Sequence, residues 1–72
     1  MEPTRTLGYQ RFLVRLRAAR KEAGLTQVQV AKRLRRTQAF VSKSESGGRR
    51  VDVIELKAFA WLYGKPVDYF LG

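Results

Sequence analysis

The sequence contains no cysteine and no histidine, and only six of its 72 residues are acidic. Without cysteine, the chain can form neither a disulfide nor a thiolate metal site. Without histidine as well, acid–base catalysis would fall to carboxylates or lysine, and no pair of acids at helical spacing faces an apolar pocket. Gly47-Gly48 is a turn signal and not a nucleotide-binding loop. We therefore expect no enzyme activity, no metal and no cofactor.

Long apolar runs are also absent. No stretch approaches the length of about 20 apolar residues that a membrane span needs, and residues 1–10 lack the apolar centre of a signal peptide. We therefore expect a cytoplasmic protein that does not bind membranes. Residues 1–8 include Pro3 and Gly8 and show little periodicity, so we expect a flexible arm ahead of one domain over residues 9–72.

Positive charge is what the sequence has in excess. Fifteen Lys and Arg residues against six acids give a net charge of +9, and the pI is about 10.9. Residues 1–50 contain 13 of these basic residues, whereas residues 51–72 contain two basic and three acidic residues. A basic region confined to part of a small domain favours binding to a polyanion such as nucleic acid.

Apolar spacing and capping signals predict an all-α protein of five short helices. Thr26 with Gln29, and Asp52 with Glu55, have the spacing of a capping box, in which two side chains each bond the other residue's backbone N–H. Glycines follow the apolar periodicity at three helix ends, which is typical of a C-terminal cap. The expected helices cover residues 9–23, 27–34, 38–46, the stretch between Asp52 and Gly64, and 67–71.

Helices 27–34 and 38–46 are separated by about three residues. That arrangement is typical of a helix-turn-helix, whose second helix enters the major groove of DNA. A serine- and threonine-rich stretch, "TQAFVSKSESG", forms this second helix. With Val41 placed inward on a helical wheel, Ala39, Ser42, Lys43 and Ser46 lie on the far side. Gln38 sits in the first turn, where side chains project beyond the helix end. Besides two hydroxyls, the face thus offers an amide, a methyl and an ammonium, from Gln38, Ala39 and Lys43.

Those three side chains suit the edges of base pairs. An amide pairs with adenine, an ammonium donates to guanine, and a small methyl touches the thymine methyl. Arginines lie on both sides of the helix, where phosphate contacts would position it. A solvated amphipathic helix would show the same local pattern, so the preceding capped helix and the basic half-chain decide in favour of double-stranded DNA.

Residues 13–71 resemble the phage-repressor class of helix-turn-helix domains, the lambda repressor-like or Cro/XRE family. The stretches that carry the resemblance are "LRAARKEAGLTQVQVAKRL", "TQAFVSKSESG" and "LKAFAWLYGKPVDYFL". The resemblance implies a compact five-helix bundle and a transcriptional repressor that binds operator DNA as a homodimer. It also implies a buried ion pair between Arg20 and Glu45.

Site residues follow from this resemblance and from the flanking charge. Base contacts are expected from Gln38, Ala39 and Lys43, and Gln27 is expected to brace Gln38 while it bonds a phosphate. Contacts to the DNA backbone are expected from eight residues in or beside the motif: Gln27, Thr37, Phe40, Ser42, Ser46, Arg36, Arg49 and Arg50.

Three residues depart from the family pattern. Arg35 occupies a turn position where the family prefers glycine, which predicts a non-glycine residue in the left-handed region. Ser44 replaces an inward aliphatic residue and predicts weaker packing of the recognition helix. Pro66 replaces a serine and predicts a last helix without a side-chain cap.

A second apolar stripe, formed by Ile54, Ala58 and Trp61, lies roughly opposite Leu56 on the fourth helix. It would pack beneath residues 69–71 or contact a second copy of the chain, since exposed apolar patches often mark association sites. We expect a homodimer contact here. The alternative is an antitoxin or protein-interaction module of the same fold, whose partner surface is this face. No small-molecule ligand is indicated.

Overall fold

Polar side chains open four of the five helices in the computed structural model, which describes residues 6–72. Both predicted capping boxes are confirmed: Thr26 with Gln29, and Asp52 with Glu55. Pro66 precedes the last helix without a side-chain cap, as predicted. The helices are α1 (Leu7–Glu22), α2 (Gln27–Leu34), α3 (Gln38–Ser46), α4 (Val53–Tyr63) and α5 (Val67–Leu71). The five-helix, all-α prediction is confirmed over the described residues.

The first helix begins earlier than the sequence pattern predicts. The Thr6 hydroxyl accepts a hydrogen bond from the Tyr9 backbone N–H at 3.2 Å, so α1 begins at Leu7 and includes Gly8. The prediction of a loose arm over residues 1–8 is therefore wrong for residues 7 and 8, because Thr6 supplies a cap that the periodicity does not reveal. The rest of the predicted arm, residues 1–5, lies outside the described residues.

A left-handed residue ends α2 and turns the chain into α3. Arg35 has φ 57° and is the one non-glycine residue with positive φ in the described part of the chain. The expected left-handed turn is thereby confirmed, and it carries the steric cost of a Cβ in that region. Gly47, which ends α3, takes the same region with φ 85°.

All five helices contribute to one apolar core. Phe40 of α3 stacks on Phe59 of α4, and Phe59 stacks in turn on Tyr63. Buried apolar side chains occur along the whole domain: Phe12, Leu13, Leu16, Ala19, Val30, Ala31, Phe40, Val41, Leu56, Phe59, Ala60, Tyr63 and Phe70. Because α3 buries Phe40 and Val41 on one side, its other side faces solvent. From Thr6 to the C-terminus, no helix has the length and hydropathy to cross a membrane.

Candidate nucleic-acid interface

The recognition helix α3 presents three predicted side chains to solvent. Gln38, Ala39 and Lys43 are exposed, whereas Val41 is fully buried. Neither Gln38 nor Lys43 uses its side chain in a hydrogen bond or ion pair with another residue of the described chain. The amide and the ammonium are therefore available to an external partner.

Ser44 takes part in holding this face outward. Its side chain is fully buried, and its hydroxyl donates to the Phe40 carbonyl one turn earlier at 2.6 Å. The bond satisfies the hydroxyl inside the core, although a serine fills less space than the aliphatic residue it replaces. Each turn of α3 therefore contributes buried side chains to the core, while its outward side remains polar.

Glu45 is the buried charge that fixes α3 to α1 and α2. It is 2% exposed, and its carboxylate accepts from Arg20 Nε at 2.7 Å and from Arg20 Nη2 at 3.2 Å. The ion pair implied by the family resemblance is thus present. Arg17 Nη1 also donates to the Glu45 carbonyl at 2.7 Å, so two arginines of α1 hold the C-terminal turn of α3.

Gln27 has a different contact from the one expected. Its Nε2 donates to Glu45 Oε1 at 3.1 Å, and no hydrogen bond joins it to Gln38 within residues 6–72. In the structure the Gln27 amide therefore braces Glu45 and not Gln38, through a hydrogen bond that the carboxylate charge strengthens. Gln27 remains half-buried at the start of α2.

Phe40 belongs to the core and not to the surface. Its side chain is 8% exposed and stacks on Phe59. The guanidinium carbons of Arg36 and Arg49 lie 3.7 and 4.5 Å from the centre of its ring. Burial and the two guanidiniums leave little of the ring exposed, and the expected contact between Phe40 and the DNA backbone stays a prediction.

Glu55 of α4 completes this group, which we call the Phe40 cluster (Arg36, Phe40, Arg49 and Glu55). Arg49 Nη1 and Nη2 bond the two Glu55 oxygens at 2.8 and 2.9 Å, and Arg36 Nη1 lies 3.8 Å from Oε2. The hydrogen bond from Arg49 lowers the pKa of Glu55 and, reciprocally, raises the pKa of Arg49. Sequence reasoning missed the cluster, because its members come from four separate points along the chain.

The other predicted backbone contacts lie at the surface. The Thr37 hydroxyl caps α3, and the Ser46 hydroxyl accepts from the Gly48 N–H at 3.3 Å. Ser42 is half-buried and Arg50 is exposed. Arg50 has no hydrogen-bond or ion-pair partner within the described chain, so its guanidinium is free to bind an anion.

The stripe on α4 is exposed. Trp61 is 82% and Ile54 71% exposed, while Ala58 between them is half-buried. The explanation that Trp61 packs beneath residues 69–71 is therefore wrong, because the indole lies in solvent. The homodimer contact and the partner surface expected at this stripe stay predictions.

An open groove of about 470 Å³ lies at one end of the bundle. Its walls are the start of α1, the loop after α3 together with the first turn of α4, and the end of α5. The Tyr9 hydroxyl accepts from the Val51 N–H at 2.8 Å and so joins the first two walls. Local sequence patterns do not encode this groove, because its lining comes from three separate segments.

Residues 11–68, about four-fifths of the chain, match a family model described as a helix-turn-helix domain. The matched segment contains α2, the left-handed turn, α3 and α4, together with all the candidate site residues. No curated protein matches the sequence.

Proposed function

The chain belongs to the helix-turn-helix domain family, whose members bind DNA, and we propose that it is a sequence-specific regulator of transcription. One observation carries this proposal. The outward side of α3 offers an amide, a methyl and an ammonium in Gln38, Ala39 and Lys43, and the inward side is fixed by the core and by Glu45. A rigid helix with uncommitted hydrogen-bonding groups is what base readout in the major groove requires.

The contacts divide by chemistry. Gln38 pairs with adenine, Lys43 donates to guanine, and Ala39 contacts the thymine methyl. Arg36 before α3 and Arg50 after it bind phosphates on either side, and Thr37, Ser42, Ser46 and Gln27 add neutral contacts to the backbone. Contacts of this kind position the helix without reading sequence.

A homodimer through the α4 stripe would place two recognition helices on one side of the duplex. Helices about 34 Å apart would then read two half-sites one helical turn apart. Exposure of Ile54 and Trp61 supports this interface, and the resemblance to phage repressors supports repression. The protein would then act in the cytoplasm, at the nucleoid.

The test begins with selection of bound duplexes from a random DNA pool, followed by affinities for the selected and a scrambled duplex. Gln38→Ala and Lys43→Ala should each reduce discrimination by about 1–3 kcal/mol. Lys57→Ala removes the same charge from an exposed position on α4 and should leave discrimination unchanged. Equal affinity for every sequence, or affinity that does not depend on salt, would contradict sequence-specific DNA binding.

A protein-interaction module of the antitoxin type is the second candidate, because the exposed stripe also suits a foreign partner. Sedimentation separates the two. A homodimer should become monomeric on Trp61→Ala and remain a dimer on Val14→Ala, which shortens an exposed apolar side chain of α1. A wild-type monomer that associates only with another protein would favour the second candidate.

A further inference from the structure

The contact between Arg49 and Glu55 has the geometry that an arginine uses to bind a phosphate. Two parallel hydrogen bonds, 2.8 and 2.9 Å long, join its Nη1 and Nη2 to the two oxygens of Glu55. Nη1 also donates to the Ser44 hydroxyl at 3.4 Å, and the guanidinium stacks on Phe40. Fork-to-fork pairing of this kind is how arginine recognises carboxylates and phosphates alike. Glu55 therefore occupies the place on Arg49 that a DNA phosphate would take.

Arg36 belongs to the same cluster but does not hydrogen-bond to Glu55. Its Nη1 lies 3.8 Å from Glu55 Oε2, which is beyond hydrogen-bond distance. Its side chain is 46% exposed, compared with 32% for Arg49. Stacking on Phe40 orients the guanidinium of Arg36, and its ion pair with Glu55 is longer than that of Arg49.

Moving Arg49 from Glu55 to a DNA phosphate would be unfavourable, because the Glu55 carboxylate would lose its main partner. Glu55 is 13% exposed, so its carboxylate depends on Arg49 for charge compensation. Turning Arg49 toward a phosphate would leave that carboxylate without its fork-to-fork partner and beside a polyanion. The hydrogen bond from Arg49 lowers the pKa of Glu55, so the pairing favours the ionised carboxylate.

We propose that Glu55 is a positioning residue that acts as an internal substitute for a DNA phosphate and withholds Arg49 from the DNA. The inference rests on the proposed function and deepens it. Arg36 and Arg50 are then the arginines that bind phosphate around α3, and Arg49 joins the loop after α3 to the start of α4. One fewer ionic contact weakens binding to arbitrary DNA, which comes mainly from phosphate neutralisation.

The variant Glu55→Gln tests this. A glutamine keeps the capping-box acceptor for the Asp52 N–H, so α4 retains its cap while the carboxylate charge is lost. Binding to a fluorescein-labelled duplex of arbitrary sequence is measured over a series of KCl concentrations. The plot of log affinity against log salt should become steeper by about 0.9, the slope of one additional phosphate contact. A purely structural role for Glu55 would not add a contact.

Glu22→Gln is the matched control. It removes the same charge from an exposed ion pair with Lys65, so it reproduces the change in net charge without releasing Arg49. Its slope should equal that of the wild type. The double variant E55Q/R49Q should also return to the wild-type slope, because the added contact is Arg49 itself.

Single arginine variants complete the test. Arg36→Gln should make the slope shallower by about 0.9, whereas Arg49→Gln alone should leave it unchanged. The inference is overturned if E55Q has the same slope as E22Q, or if Arg49→Gln alone makes the slope shallower. Wild-type binding without any salt dependence would instead contradict the proposed function itself.

Discussion

Arg20 of α1 and Glu45 of α3 form a two-point ion pair, in which Arg20 Nε lies 2.7 Å from Glu45 Oε2 and Nη2 lies 3.2 Å from Oε1. Gln27 of α2 donates to the same carboxylate. One buried acid thus joins three helices behind the solvent-facing side of α3. Its donors replace the water that the carboxylate loses on folding.

Arg20→Ala should destabilise the fold by about 3–5 kcal/mol, because it leaves the Glu45 charge buried without its main partner. Lys65→Ala, which breaks the exposed pair with Glu22, should cost much less, because solvent screens an exposed ion pair. Urea unfolding of both variants measures the difference. Similar losses for the two would contradict a special role for the buried pair.

Gly47→Ala should destabilise the protein more than Gly24→Ala. Both glycines have positive φ, 85° and 73°, so each alanine adds about 1–2 kcal/mol of left-handed strain. A Cβ on Gly47 would also lie 3.1 Å from Leu13 Cδ1, whereas a Cβ on Gly24 would meet nothing within 4 Å. Thermal unfolding of the two alanine variants isolates the contact with Leu13. Equal losses of stability in the two variants would show that Leu13 moves aside without cost.

Tyr63→Phe should leave the free energy of unfolding unchanged or raise it by up to about 1 kcal/mol. The Tyr63 hydroxyl is buried and has no hydrogen-bond partner within residues 6–72, and burial raises its pKa. Tyr9→Phe is the comparison, because the Tyr9 hydroxyl accepts from the Val51 N–H; it should cost about 1 kcal/mol. A clear loss of stability in Tyr63→Phe would indicate that its hydroxyl is bonded.

Acid should weaken the fold through Glu55. The Arg49 hydrogen bond lowers the Glu55 pKa below its ordinary value of 4.5, so the folded state favours the ionised carboxylate. This contribution is fully present above the ordinary value and is lost as the pH falls through the lower, folded-state value. The stability difference between the wild type and Glu55→Gln should therefore shrink in acid. A difference that does not change with pH would contradict the pairing.

Helix ends and turns could be predicted because each is encoded within a few neighbouring residues. Thr26 with Gln29 opens α2, and Gly47 closes α3, through bonds that span at most a turn. Arg35 is likewise left-handed because of its place between two helices. Thr6 was missed, since the apolar periodicity becomes clear only from Tyr9 onward.

Contacts between distant segments could not be predicted in the same way. The aromatic ring of Phe40 suits a surface or a core equally well in sequence, and its burial depends on Phe59 of α4. Arg49 matches a phosphate-binding position in the sequence. Its pairing with Glu55 depends on how closely the loop after α3 approaches α4, which the sequence pattern does not specify. Tertiary proximity therefore decides which basic side chains remain available.

The separation between the two sides of α3 also affects how the domain could be reprogrammed. Phe40, Val41, Ser44 and Glu45 hold the helix in place, whereas the side chains of Gln38, Ala39 and Lys43 are exposed. On the proposed function, a library that randomises residues 38, 39 and 43 would therefore sample new target preferences on an intact scaffold, with folding yields close to those of the parent.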